Sequence, residues 1–115
     1  MSAPVIELAA NPWRRMRGLL GRKGLPAGHA LLIRPCNAIH TLGMRFAIDV
    51  RFYDRQGHRV KEVLNVRPGH WWVWGGWRAH QVLESAAGDG TFAPFDTLET
   101  PLTCEPNPLT QRVES

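Results

Sequence analysis

The alternation of apolar and polar positions is clearest in FAIDVRFY, residues 46–53. Phe46, Ile48, Val50 and Phe52 fall on one side of an extended chain, and Ala47, Asp49, Arg51 and Tyr53 on the other, which is the period of a β-strand. DRQG follows, with Gly57 at a turn position that tolerates positive φ. HRVKEVLNV then returns, so 46–53 and 58–66 are expected to pair as a hairpin. Upstream, VIEL at 5–8 alternates weakly and reads as a short first strand. LLI at 31–33 reads as an apolar strand closed by Pro35. Between these strands lies NPWRRMRGLLG. Asn11 suits an N-cap and Pro12 the first helical position, and Trp13, Met16 and Leu20 recur at helical spacing before Gly21. The spacing predicts one short amphipathic helix over about 11–20.

Downstream, Pro68-Gly69 breaks the second strand of the hairpin. HWWVWGGWRAHQVLES follows, and Gly75-Gly76 has the composition of a two-residue hairpin turn. A turn there places Trp74 opposite Trp77 and Trp71 opposite His80. Gly88-Asp89-Gly90 is a further turn, and FDTLET is expected as a last strand. These elements define an α+β fold, mainly β, with about six short strands and one N-terminal helix. Residues 1–100 are read as a single domain and 101–115, poor in apolar residues, as a mobile tail.

Composition narrows the function classes only a little. The 115 residues are 43% hydrophobic and 21% charged, ordinary for one globular domain. No apolar run approaches a membrane span, and the N-terminus lacks the basic-then-apolar order of a signal peptide. A cytoplasmic location is expected. The two cysteines, Cys36 and Cys104, are too few for a disulfide scaffold and read as free thiols. The net charge is +4 and the pI about 9.8. Twelve of the fourteen basic residues are arginine, a side chain suited to bidentate contacts with phosphates and carboxylates. No nucleic-acid-binding motif accompanies this charge, so nucleic acid is not the expected partner. Arg14, Arg15, Arg17, Arg22 and Lys23 on the expected helix make either a polyanion patch or a solvated face, and the second is the commoner meaning of such a run.

Three groups of residues carry candidate chemistry. In CNAIHTLGM, Cys36, His40, Thr41 and Met44 place a thiol, an imidazole, a hydroxyl and a thioether together. A histidine beside a cysteine can lower the thiol pKa and make a nucleophile, and Cys36, His40 and Met44 are soft-metal donors. The bland reading has Cys36 and Met44 filling core while His40 and Thr41 hydrogen-bond an irregular backbone. No second Cys/His pair completes a zinc set, and neither metal nor cofactor is expected. Asp49 and Glu84 are the second group. They perform acid–base chemistry only if the fold brings them together in a cleft; hydrogen bonding to backbone or arginine is the ordinary fate of such carboxylates. The third group is Trp71, Trp72, Trp74 and Trp77. Trp71 and Trp72 point to opposite faces of a strand, so one core cannot take all four, and an exposed aromatic contact surface is expected. Cross-strand aromatic pairing within a hairpin is the structural alternative.

The ordered segments RGLLGR, C-x3-HT-x2-MRFAIDVRFYDRQGHRV, P-G and VLESAAG resemble the DUF192 family across residues 13–98. The chain departs from the family pattern at Ala47, where proline is usual, and at Phe95-Asp96, where a Gly-Asp pair is usual. The resemblance implies a small barrel-like domain of antiparallel hairpins with no established activity, substrate or cofactor. Some bacterial members are encoded close to pilus-assembly genes, which implies an accessory role at a bacterial surface. Taken together, the residues and the resemblance lead to an expected non-enzymatic binding or accessory domain for an unknown small ligand or protein. The alternative is a thiol- or metal-dependent enzyme using Cys36 and His40 with Asp49 in support.

Overall fold

The structure is a computed structural model that describes residues 4–9, 24–98 and 104–106. Among the described residues eight strands appear in chain order: β1 (Val5–Ala9), β2 (His29–Ile33), β3 (Ala38–Ile39), β4 (Ile48–Tyr53), β5 (Arg59–Val66), β6 (Val73–Trp74), β7 (Gln81–Ala86) and β8 (Cys104–Pro106). A 3-10 turn, Gly90–Phe92, follows β7. The main sheet runs in the order β5-β4-β7-β2-β1-β8, and β3 pairs with β6 in a separate two-stranded ribbon.

The mainly β architecture and the β4–β5 hairpin agree with the sequence pattern. The barrel of antiparallel hairpins does not. Among the described residues the sheet is open, with β5 at one edge and β8 at the other. It is also mixed, because β1 lies parallel to both β2 and β8. Closure would require β5 to reach β8. Instead the outer side of β5 is met by the segment 96–98, where the Arg59 N–H donates to the Asp96 carbonyl at 2.8 Å and the Leu98 N–H to Gly57 at 2.7 Å. For the same reason 95–98 forms no ladder strand: Thr97 makes a single bridge to His58. The helix expected over 11–20 lies outside the described residues, as does the expected tail apart from β8.

Glycine 75 explains a second correction. No hairpin turns at Gly75-Gly76. The Gly75 N–H donates to the Asn37 carbonyl at 2.8 Å, and β6 pairs with β3 through Ala38↔Trp74 and Ile39↔Val73. A side chain at Gly75 would stand 2.2 Å from the Phe52 ring. The glycine is there for close approach to the core, not for a turn. The chain then turns over Gly76–Ala79, with Gly76 at φ +99° and the Ala79 N–H bonded to Gly76 O, and enters β7.

The strand β4 sits at the heart of the sheet, between β5 and β7, and all six of its residues are buried. Alternation therefore supplies two cores. Ile48, Val50 and Phe52 join Leu31, Ile33, Ile39, Met44, Val66, Ala79 and Val82 on one face. Tyr53 joins Ile6, Leu8, Leu32, Leu83 and Phe92 on the other. The polar residues of that second face are paired rather than solvated, as burial demands. Arg51 binds Glu62 at 2.8 Å, and the Tyr53 hydroxyl donates to the Phe95 carbonyl at 2.7 Å. Arg59 extends this lattice to Glu62 and Asp96. These bonds pin the 90–98 segment over the second core.

Candidate ligand-binding cleft

The CNAIHTLGM stretch does not converge on one site. Cys36 is half-buried, packs against the first core and donates its thiol to the Ala38 carbonyl at 3.1 Å. Met44 is core. His40 turns its Nδ1 to accept the Leu42 N–H at 3.3 Å. Thr41 is fully buried; its hydroxyl donates to Arg67 O at 2.7 Å and accepts from the His70 N–H at 2.9 Å. It therefore clamps this loop to the Pro68-Gly69 turn, and the Gly69 N–H returns a bond to Thr41 O.

Asp49 and Glu84 are kept apart by the sheet itself. Glu84 stands opposite Val50 and Leu31, hence on the first-core face, fully buried and not without a partner. Asp49 is one position out of step with Val50 and faces the other way. Its two carboxylate oxygens accept the Asn65 N–H at 2.8 Å and the Gly88 N–H at 3.1 Å. Asn65 holds φ +54°, so Asp49 secures an irregular strand end and a turn together. Among the described residues no three His, Cys, Asp or Glu side chains are grouped to hold a metal ion.

An open cleft lies elsewhere, between three pieces of backbone. Asn37, the β4–β5 turn residues Asp54, Arg55 and Gln56, and the second turn Trp77, Arg78, Ala79 and His80 enclose about 440 Å³. A smaller adjoining hollow of about 210 Å³ adds Pro35 and Cys36 and shares Asn37, Ala79 and His80. Backbone bonds fix these walls to one another: Cys36 N–H to His80 O at 2.8 Å, His80 N–H to Tyr53 O at 2.8 Å, and Gly75 N–H to Asn37 O. Asp54 organises the first turn. Its Oδ1 accepts the Gln56 N–H at 3.0 Å and the His58 N–H at 2.9 Å, and its Oδ2 stands 3.7 Å from Arg78 and 3.8 Å from His58 Nδ1. The His58 N–H, above all, holds the Asp54 carboxyl below the usual carboxylate range; partial burial opposes this, and the Gln56 N–H, His58 and Arg78 reinforce it.

Trp77 stands on the rim of this cleft and is 90% exposed. It meets Trp74 edge to face, with ring centroids 5.2 Å apart and planes at 89°. The pair expected across a hairpin thus forms across the Gly75-Gly76 link instead. Trp71 and Trp72 are 77% and 70% exposed, so three of the four tryptophans of the expected contact surface face solvent. Of the expected pocket residues, only Cys36 reaches these two hollows. The segments DRQG and GWRAH carry most of the lining; the sequence marks the first as a turn, gives the second the pattern of a hairpin arm, and contains no signal that the two meet.

Residues 2–93 match the model of the DUF192 family, described as an uncharacterized ACR. The chain belongs to that family. No curated protein matches it. Two solved structures share the fold. One is a protein of unknown function from Novosphingobium aromaticivorans, 18% identical with a TM-score of 0.65, covering 74% of this chain and 64% of its own. The chain therefore spans less than two thirds of that protein. The other is a proposed transcription regulator from Sinorhizobium meliloti, 24% identical with a TM-score of 0.66, covering 82% of this chain and 79% of its own. Among the described residues no helix is long and apolar enough to cross a membrane.

Proposed function

We propose that this chain is a non-enzymatic binding domain whose ligand site is the cleft between the 54–56 and 77–80 turns. One observation carries the reading: an almost fully exposed indole, Trp77, borders a hollow of about 440 Å³ lined by polar side chains. A solvent-facing tryptophan is costly to keep wet, and it recurs where one aromatic face receives a partner. The volume falls in the small-molecule range of roughly 300–1,000 Å³. Trp71 and Trp72 offer a further exposed aromatic surface on the approach to β6.

Titration of a small-molecule library, followed by intrinsic tryptophan fluorescence, tests this. Binders should shift the emission of the native protein, and Trp77→Ala should abolish the response while leaving the unfolding midpoint unchanged. A set of binders whose response survives Trp77→Ala would place the site elsewhere.

The alternative thiol reading has Cys36 at the edge of the smaller hollow. Its proposed imidazole partner, His40, is turned to the Leu42 N–H. Alkylation of Cys36 in a Cys104→Ser background should be slow below neutral pH; rapid modification there would restore that reading. The description of the Sinorhizobium protein as a transcription regulator does not extend to this chain, because a likeness at 24% identity carries the fold alone.

A further inference from the structure

The cleft lining is mixed in charge and rich in amides. Asp54 presents carboxylate oxygens, Arg55 and Arg78 guanidinium N–H groups, Asn37 and Gln56 amides that both donate and accept, and His80 an imidazole. Among the described residues the side chains of Asn37, Arg55, Gln56 and His80 make no hydrogen bond within the protein. Donors and acceptors therefore share one cleft with the exposed Trp77 ring.

Each simple ligand class meets an obstacle in this set. An anion drawn to Arg55 and Arg78 encounters Asp54, which its backbone donors keep ionised. A cation drawn to Asp54 encounters two guanidinium groups. An apolar ligand finds Trp77 and Ala79 but leaves the amides and charges dry and unpaired, which is unfavourable. A neutral ring carrying several hydroxyls meets none of these obstacles. Every hydroxyl both donates and accepts. A hydroxyl can bond the Oδ2 of Asp54, whose Oδ1 is already held by two backbone N–H groups, and neighbouring hydroxyls match the fork of a guanidinium. The C–H face of such a ring, polarised by the adjacent oxygens, suits the electron-rich face of an indole.

The geometry points to a saccharide as the ligand, one sugar ring seated on Trp77 and its hydroxyls held by Asn37, Asp54, Gln56 and Arg78. This rests on the binding reading above and supplies its ligand class. The walls are already fixed by the Cys36–His80, His80–Tyr53 and Gly75–Asn37 backbone bonds, so little ordering of the protein is needed on binding.

The test uses the full chain, uniformly 15N-labelled, and follows its amide and indole signals by NMR. Cellotriose, maltotriose and tri-N-acetylchitotriose are added to 10 mM, roughly ten times a millimolar Kd. In parallel arms, adenosine monophosphate, benzoate and an acidic pentapeptide are added. At least one trisaccharide should shift signals of residues 37, 54–56 and 77–80. Trp77→Ala and Gln56→Ala, both at exposed positions, should each weaken that binding roughly tenfold or more, and Trp71→Ala should not. Shifts from a non-sugar probe alone would overturn the saccharide assignment and leave the binding domain standing. Silence from every probe would overturn both.

Discussion

At the residue scale, Asp49 shows how a motif that looks catalytic becomes architectural. Its carboxylate is 5% exposed and holds two backbone N–H groups from different elements. Hydrogen bonds to a charged acceptor contribute about 1.5–3 kcal/mol each, and their donors are left unsatisfied when it is removed. Asp49→Ala should therefore lower unfolding stability by about 2–4 kcal/mol in urea titration, and Asp49→Asn, which keeps one acceptor, by less. Tyr53 offers a cleaner measurement, because it is the only tyrosine in the chain. Burial, opposed by Arg59 and Arg51, pushes its hydroxyl up to about 12. A raised phenol pKa favours folding fully below the unfolded value of about 10, and that contribution is lost as pH rises through about 12. Tyrosinate absorbance should accordingly stay flat through pH 10.5 in the native protein and rise near pH 10 in urea. Asp89 acts at the other end of the scale. Burial works against its charge, but the Thr91 hydroxyl and the Gly28 and Thr91 N–H groups win and hold its carboxyl low. Its contribution is present above the unfolded carboxylate pKa of about 3.9 and is lost as pH falls through the lower folded value. The stability gap between wild type and Asp89→Asn should be constant at neutral pH and shrink in acid.

At the element scale, the clearest period-2 pattern and the turn at Gly57 match the structure, and the hairpin expected at Gly75-Gly76 does not. FAIDVRFY announced β4 because Phe46 to Tyr53 alternate without interruption, and DRQG announced its turn. The alternation could not say that both faces would be covered, since an Asp and an Arg on one face fit solvent as well as a paired interior. Gly75-Gly76 was misread because a dipeptide reports backbone freedom without its cause. At Gly75 the cause is the Phe52 ring. Gly75→Ala should therefore cost about 1–3 kcal/mol by overpacking, measured by thermal or urea unfolding, whereas Gly76→Ala meets no atom within 4 Å and suffers only its positive φ. The two-residue strand β3 is too short to show a period, and β6 falls within the arm expected for the Trp hairpin but pairs with β3 instead.

At the scale of the whole molecule, the candidate cleft was the least legible part. Asn37, the 54–56 turn and the 78–80 segment lie far apart in sequence and meet through the β4–β7 pairing and the Cys36–His80 and Gly75–Asn37 backbone bonds. The exposure of tryptophan is legible in the sequence, but not by the route of strand geometry: Trp71 and Trp72 precede β6 and both face solvent. Acrylamide should quench a large fraction of the tryptophan emission, and replacing Trp71, Trp72 and Trp77 with phenylalanine should remove the most accessible part of it. A native protein largely resistant to quencher would contradict the exposure of all three.

The sheet edge at β5 has a further consequence. Its outer side is occupied at the start by Asp96 and Leu98. Toward its end the register with β4 shifts, and Asn65 adopts a left-handed backbone. A strand so capped and bent presents no straight ladder of free amides to a second chain, which is how natural sheets avoid growing into fibrils. The Arg59–Asp96 contact and the Asp49 carboxylate that steadies Asn65 thus have a colloidal consequence besides their structural one: they make the β5 edge a poor template for a strand of another copy.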